Sequence, residues 1–570
     1  MTYSKEKKKA LGAFYTPQIL SDLVARLLMP LCNVSKKSLI AALDPATGDS
    51  ILLQSLMREI KKKGIDFKLI GIDTDRTAIN RSKKIFKEYQ DKVAFINTDA
   101  LYPLACTVPS NGWKKLFRKF LPNGIDLIVS NPPWGVDLGH YTNLSRDFRT
   151  AVGQFDIYDM FIETIISNLK DDGVYGLIIP DSIYCQEHQK IRELLLTETA
   201  IKGIVRLGEG FFPEVNFAVS IIYGVKKHSV RHNVLCSHLT NSDRKRILSG
   251  VLDIYHVVKD KSKKVPAKQM ISSNYCFIVD VSESDATILQ KLRKCDTFNY
   301  YTSCQRGIEL SKKGVVIQCS HCGKWFPVPR KKEDSSFCPH CNSNVIISKA
   351  EHKNIITNRK ETNSTPLLVG EDIGRYYVTT GRYIKNNIKG IKYKSRSLYE
   401  GTKVVVRKTG VGITAGIDYK NSFTNQVVYI IKPKTSVNAL ITPEVITAIL
   451  CSRLITYVII KEKGSIGWTS NPYLSQKDVC SLPFPILDFD DDKTVNTLIR
   501  ITELVKQNSQ NRKDIPKAVD AEIEKNIAYL YHVEKAEYNT ILDTIGKVEP
   551  MIPFSRLLNI NSEDIFQYGI

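Results

Sequence analysis

The sequence predicts a doubly wound α/β sheet followed by an α+β domain, and three observations predict it. From about Leu39, short apolar runs rich in β-branched residues alternate with helical stretches, the pattern of strand and helix units in a parallel sheet. Polar residues recur where these runs end: Asp44, Asp73, Asp99 and Asn131. Beyond about residue 230 the alternation gives way to strand-rich segments punctuated by turn glycines and by two Cys-x-x-Cys pairs.

Taken in order, residues 40–43 make the first strand, and Asp44-Pro45-Ala46-Thr47-Gly48-Asp49-Ser50 is the loop leading into a helix that runs to about residue 61. Residues 68–72 make the second strand, closed by Asp73, where a carboxylate accepts hydrogen bonds from ribose hydroxyls in this architecture. The third strand, 93–97, precedes Asp99, and the fourth, 125–129, precedes Asn131-Pro132-Pro133-Trp134. All four polar sites therefore fall at carboxyl ends of strands, the crevice in which open α/β sheets bind ligands. The first loop lacks G-x-G-x-x-G and no segment matches G-x-x-x-x-G-K-[ST], which argues against dinucleotide and ATP binding.

The tetrapeptide Asn131-Pro132-Pro133-Trp134 carries the most chemistry. An exocyclic amine on an aromatic ring is a poor nucleophile, because its lone pair is delocalised. Two acceptors aimed at its hydrogens relieve that, and the Asn131 side-chain oxygen with the Pro132 carbonyl can supply them. The prolines stiffen the turn and bring no N–H to compete. Trp134 offers a stacking face for the target ring. Taken singly, Asn-Pro-Pro after a strand is equally a loop opener.

Composition narrows the class. A chain of 570 residues predicts two or three domains, and 43% hydrophobic residues suffice for large cores. The net charge of +22 points to a polyanionic partner, nucleic acid first, because each phosphate neutralised by Lys or Arg releases condensed counterions. No apolar run is long enough to span a membrane and the Lys-rich start lacks a signal-peptide core, so a cytoplasmic protein is expected. The 13 cysteines, scattered except for one cluster, suggest reduced thiols plus a metal site rather than a disulfide framework.

The first 225 or so residues resemble S-adenosylmethionine-dependent adenine-N6 DNA methyltransferases of the gamma order, the TaqI type. Gly12-Ala13-Phe14-Tyr15-Thr16-Pro17 resembles the family's segment ahead of the first strand, which implies cofactor contacts at Tyr15, Thr16 and Pro17. The loop with Asp44, Pro45, Ala46 and Gly48 resembles the cradle for methionine, and Asp73 the acid for ribose. Asn97-Thr98-Asp99-Ala100-Leu101 resembles the segment whose Asp reads the cofactor adenine, with Ala100 beside it, and residues 131–134 match the catalytic motif. Residues 155–161 and 173–180 resemble the helix and strand that follow, and Phe211-Phe212-Pro213 the site of an aromatic that stacks on a flipped adenine; Phe217 competes with Phe212 for that role. Ser50 departs from a frequent glycine, and Trp134 from the commoner Tyr or Phe. A C5-cytosine enzyme needs a Pro-Cys nucleophile, whereas Cys185 lies in Tyr-Cys-Gln. The alternatives left open are an RNA or protein-amide methyltransferase and a non-catalytic DNA-binding subunit.

Further along, Cys319-x-x-Cys322 and Cys338-x-x-Cys341, fifteen residues apart, have the spacing of a structural Zn²⁺ ribbon. Lys324-Trp325-Phe326 and Pro329-Arg330-Lys331-Lys332 read as a phosphate-contacting finger, and Arg407-Lys408-Thr409-Gly410 as a phosphate clamp. Residues 404–432 look strand-rich, with turn glycines at Gly410, Gly412 and Gly416. Residues 468–473 and 482–485 resemble the closing segments of the TaqI-type specificity domain. The expected organisation is a Rossmann-like methyltransferase domain at 1–230, a connector at 231–294, a target-recognition domain at 295–490 with the ribbon near 315–345, and a helical region at 491–570 broken at Pro516. Double-stranded DNA is the expected partner. With about eleven residues ahead of Gly12, a fused N-terminal nuclease is not expected, and a separate endonuclease or defence-system subunit is the anticipated companion.

Overall fold

The computed structural model describes residues 15–32, 38–102, 112–113, 116–136, 138–212, 217–229, 231–329, 334–410, 412–462, 474–511, 515–548 and 557–567. Expectations placed on residues 12–14, Pro213, 330–332 and 468–473 fall outside them. The chain divides into two compact units, the first running to Ser282 with a return at Lys461–Ser470, the second holding Glu283–Ile460 and Asn471–Ile570.

The first unit is built on a nine-stranded sheet: β1 (Leu39–Asp44), β2 (Asp66–Asp73), β3 (Val93–Asn97), β4 (Ile125–Ser130), β5 (Leu169–Pro180), β6 (Ala200–Gly208), β7 (Val219–Val225), β8 (Asn233–His238) and β9 (Lys263–Pro266). Their order is β3-β2-β1-β4-β5-β7-β6-β8-β9. The first five strands pair in parallel, while β7 runs antiparallel between β5 and β6. β1 and β4 are buried almost throughout, as parallel strands covered on both faces must be, and this is why they read as unbroken apolar runs. The helix Gln18–Leu28 starts directly after Pro17, whose extended backbone sets the turn, and buries Leu20, Leu23, Val24, Leu27 and Leu28 along one stripe. The helix Ile51–Lys62 follows the first loop, and Ile157–Asn168 leads into β5.

The expected connector at 231–294 is corrected by this sheet. β8 pairs in parallel with β6, and β9 closes the edge against β8, so the segment extends the first unit to Ser282. Its polar helices, such as Asn241–Leu248 with only Arg244 and Ile247 buried, hide the two short strands from a reading of hydrophobic pattern.

The second unit contains an antiparallel sheet of Thr302–Arg306, Val428–Pro433, Lys403–Arg407 and Ala415–Asp418. Gly416, expected in a turn, lies inside the last of these strands, where a Cβ would sit 2.3 Å from the Tyr377 carbonyl oxygen. Its glycine is needed for close approach rather than for turning. The helices Asp492–Asn511, Lys517–Leu530 and Lys535–Gly546 follow, with Pro516 at the N-cap of the second. Among the described residues no single helix is long and apolar enough to cross a membrane. The bent pair Pro443–Leu450 and Arg453–Glu462 has the length and composition, yet it is buried along almost its whole course.

Candidate active site

The order of strands reverses between β1 and β4, and loops leaving neighbouring strands in opposite directions open a crevice there. A pocket occupies it. Tyr15, Thr16, Asp44, Pro45, Ala46, Gly48, Asp73, Asp99, Ala100, Asn131 and Pro133 all line it, which brings together eleven residues singled out from sequence segments more than a hundred positions apart. Pro17 and Pro132 stand beside lining residues without lining the pocket themselves.

The loop after β1 is held from two sides. The Gly48 N–H donates to Asp73 Oδ2 at 2.8 Å, and the Thr47 N–H to the Ile72 carbonyl at 2.9 Å. Ser50 takes a left-handed conformation, φ 60° and ψ 24°, which costs an L-residue about 1 kcal/mol relative to glycine. This is the position where the resemblance expects a second glycine. The serine is fully buried, and its hydroxyl bonds to Ser82 and to Thr47, an offset glycine lacks. Asp44 is almost fully buried; one carboxylate oxygen accepts from the Ala46 N–H at 3.0 Å, and Oδ2 has no hydrogen-bond partner among the described residues. Burial above all pushes its carboxyl up to about 8, opposed by the Ala46 N–H and assisted by the Asp73 charge. Burial also raises Asp73, against the N–H bonds from Asp75 and Gly48.

The Asn131 amide is oriented from the N-terminal segment: its Nδ2 donates to the Thr16 hydroxyl at 3.0 Å, which fixes the opposite edge of the amide, Oδ1, as the acceptor. Gly135, at φ 67°, turns the chain after Trp134, and its N–H donates to both oxygens of Asp156 at 2.9 and 3.1 Å. Asp156 also caps the helix Ile157–Asn168, in a reciprocal box with Asp159, and Asp159 in turn holds His188 Nδ1 at 2.8 Å. The catalytic-motif loop is thus pinned to a helix start.

Asp-x-x-Asp ahead of an apolar run at Asp156 is a legible capping pattern, whereas its hold on the Gly135 N–H is not marked in the sequence. Tyr141 was missed altogether. Its hydroxyl donates to Asp99 Oδ2 at 2.9 Å, it lines the pocket, and no local pattern marks it. Arg81 was missed too; it ties Asp49 (2.7 Å) to the Tyr15 hydroxyl (3.3 Å) at the rim.

Trp134 and Phe212 are neighbours, both buried, with ring centroids 5.9 Å apart and planes at 86°. They form an edge-to-face pair, and a third ring enters between them only if they part. Phe217 is half exposed, and Phe212 packs against Trp134.

In the second unit, the four cysteines gather. Sγ of Cys319 lies 3.6 Å from that of Cys341, and Sγ of Cys322 lies 3.7 Å from that of Cys338; all four fall within 4.8 Å of one another. Gly323 at φ 67° and Asn342 at φ 59° turn the two knuckles, with N–H bonds to the Cys319 and Cys338 carbonyls.

Residues 1–285 match the family described as N-6 DNA Methylase, and residues 365–483 the TaqI-like C-terminal specificity domain. The type II methyltransferase M.BanIII of Aneurinibacillus aneurinilyticus is 30% identical over 234 residues, 39% of this chain and 39% of that protein. The type I restriction enzyme EcoEI methylase subunit of Escherichia coli is 24% identical over 232 residues, 38% and 42% of the two chains. The chain spans about two fifths of the length of the curated relatives it matches. Among solved structures, the type IIL restriction-modification enzyme MmeI in complex with DNA shares the fold at a TM-score of 0.57 and 12% identity, covering 100% of this chain and 80% of that one. The DrdV–DNA complex shares it at 0.52 and 12%, covering 89% and 58%.

Proposed function

Since this chain belongs to the N-6 DNA methylase family, we propose that it transfers the methyl group of S-adenosylmethionine to the N6 amine of adenine in duplex DNA, at sites selected by its second unit. The observation that carries this reading is the convergence of Asp44, Asp73, Asp99 and Asn131 on one pocket at the point where the strand order reverses. The residues suit the cofactor. The buried Asp44 Oδ2, without a partner, is an acceptor of the kind an ammonium group needs. Asp73 keeps lone pairs for ribose hydroxyls beyond its two backbone bonds, and Asp99 offers an acceptor to an adenine amine once Tyr141 yields it. The cofactor supplies an electrophilic methyl group on a sulfonium.

The chain's own residues handle the nucleophile. Asn131 Oδ1 and the Pro132 carbonyl accept the amine's hydrogens, which localises the lone pair on nitrogen, while Thr16 and Asp156 keep the loop in place. The adenine leaves its stack at a cost of a few kcal/mol and meets the aromatic wall of Trp134 and Phe212. Label from tritiated S-adenosylmethionine is expected in plasmid duplex DNA and not in transcribed RNA of the same sequence; label confined to RNA or protein would overturn the substrate assignment.

The four cysteines bind one structural Zn²⁺. Zn–S bonds of about 2.3 Å give a tetrahedron edge of about 3.8 Å, close to the observed separations, and four thiolates leave no open position for catalysis. Elemental analysis is expected to find one zinc per chain, and a Cys319→Ser, Cys338→Ser protein to lose it and melt at lower temperature; a metal-free chain with unchanged melting would contradict the role. The setting proposed is a cytoplasmic restriction-modification or phage-defence system, alongside a separate endonuclease or other defence subunit.

Proton linkage gives a further expected result. Asp44 is protonated in the empty pocket at pH 7, and an ammonium partner favours its carboxylate. Cofactor binding near pH 7 should therefore release about one proton, and affinity should rise towards tenfold per pH unit between pH 6 and 7.5. Calorimetry in buffers of different ionisation heat reads the release, and Asp44→Asn should abolish it. For stability the sign is opposite. The folded pKa is raised, so the unfolded chain ionises first, and the empty protein loses stability from about pH 4 up to about pH 8.

A further inference from the structure

Resting on the DNA reading above, we propose that the phosphate-gripping element of the second unit is the loop at residues 386–396, braced by the four-cysteine module, and that Lys389 and Lys392 contact the backbone of duplex DNA. The sequence pointed instead to the module's own basic run.

The loop has an alternating build. Ile388, Ile391 and Tyr393 pack against the apolar cluster that contains Trp325, and Lys389 and Lys392, between and beside them, are turned out to solvent. The loop also closes on itself, the Tyr393 hydroxyl donating to the Lys385 carbonyl at 2.6 Å and accepting from the Ile388 N–H at 3.3 Å. A loop so fixed presents its lysines without a large ordering cost.

The brace comes from the cysteine module. Trp325, buried in the strand Trp325–Pro327 that follows the first knuckle, donates its N–H to the Lys389 carbonyl at 2.8 Å. Gly390, at φ 100°, lies so close that a Cβ there would be 2.5 Å from the Trp325 carbonyl oxygen and 2.9 Å from the Lys324 Cβ. The strand His352–Asn354, on the far side of Val315–Gln318 in the same three-stranded sheet, adds Lys353, whose ammonium lies 5.5 Å from the Trp325 ring centroid. Three separate segments that carry lysines therefore meet at one buried tryptophan: Lys324 precedes it in the chain, Lys353 lies near its ring, and the loop with Lys389 and Lys392 accepts its N–H.

Several other lysines of this unit are neutralised, Lys312 by Glu371, Lys385 by Glu361, Lys403 by Asp418 and Lys291 by Glu537. None of Lys324, Lys353, Lys389 and Lys392 has an ion-pair partner among the described residues. Uncompensated like charges repel in the free protein, and a polyanion that neutralises them gains counterion release.

The test is DNA binding as a function of salt with the full chain. Lys389→Gln with Lys392→Gln should make the slope of log affinity against log salt shallower by about 2 and weaken binding about tenfold at 100 mM salt. S-adenosylmethionine binding should stay as in the parent. Lys506→Gln with Lys547→Gln, an equal charge change on the C-terminal helices, is the control. Equal effects in the two proteins would reduce the loop to a general charge effect and overturn the proposal, as would an unchanged slope in the loop variant. A parent chain that binds the cofactor but shows no affinity for duplex DNA would instead overturn the methyltransferase reading itself.

Discussion

The Asn131→Ala protein is expected to bind S-adenosylmethionine within a few-fold of the parent and to transfer methyl groups on the order of a thousandfold more slowly. The loss belongs in kcat. Asn131 contributes an acceptor to the amine as positive charge develops on nitrogen, and an interaction made mainly in the transition state lowers turnover without weakening the ground-state complex. Folding should suffer little, since the bond lost from Nδ2 to Thr16 is worth about 1 kcal/mol. Rapid-quench measurement of a single turnover separates this from slow product release. A variant that turns over normally would remove Asn131 from the mechanism.

The second large effect is structural and lies in the other unit. Arg453 is completely buried; it pairs with Asp520 at 2.9 Å and Glu524 at 3.0 Å and donates to the Leu557 carbonyl at 2.7 Å. Arg375 pairs with the same two acids, at 2.7 and 3.3 Å, and the Tyr538 hydroxyl donates to Glu524. These bonds tie the helix Arg453–Glu462 to Lys517–Leu530 and Lys535–Gly546. Removing one partner leaves charge stranded away from water, so Arg453→Met should destabilise this unit by about 3–5 kcal/mol in denaturant titration. A combined Arg453→Met, Glu524→Gln protein should lose less than the sum of the single changes, because each removes the other's partner. A loss below about 1 kcal/mol in the single variant would contradict the network's part.

These two cases mark what the sequence discloses. Asn131, Asp44, Asp73 and Asp99 were legible because each ends an apolar run, and strand ends in a parallel sheet meet at one edge. Their loops need no long-range knowledge to be placed. Tyr141 and Arg81 join the site from a 3-10 turn and a helix face, where nothing in the neighbouring residues announces a pocket. The Arg453 network is opaque for the same reason, since its acids lie 67 and 71 residues away. β8 and β9 were hidden because edge strands flanked by polar helices carry little apolar signal. Nothing in the residues around Lys389 marks it, because the Trp325 N–H that holds its carbonyl comes from a distant segment.

The atom that receives the methyl group distinguishes adenine-N6 transfer from every other reading of this site. Duplex DNA treated with the protein and S-adenosylmethionine, digested to nucleosides and resolved by mass spectrometry, should yield N6-methyladenine as the sole new nucleoside, absent with Asn131→Ala. Methylated cytosine in its place would contradict the assignment of adenine, and unmodified DNA from a chain with cofactor bound would contradict the assignment of DNA.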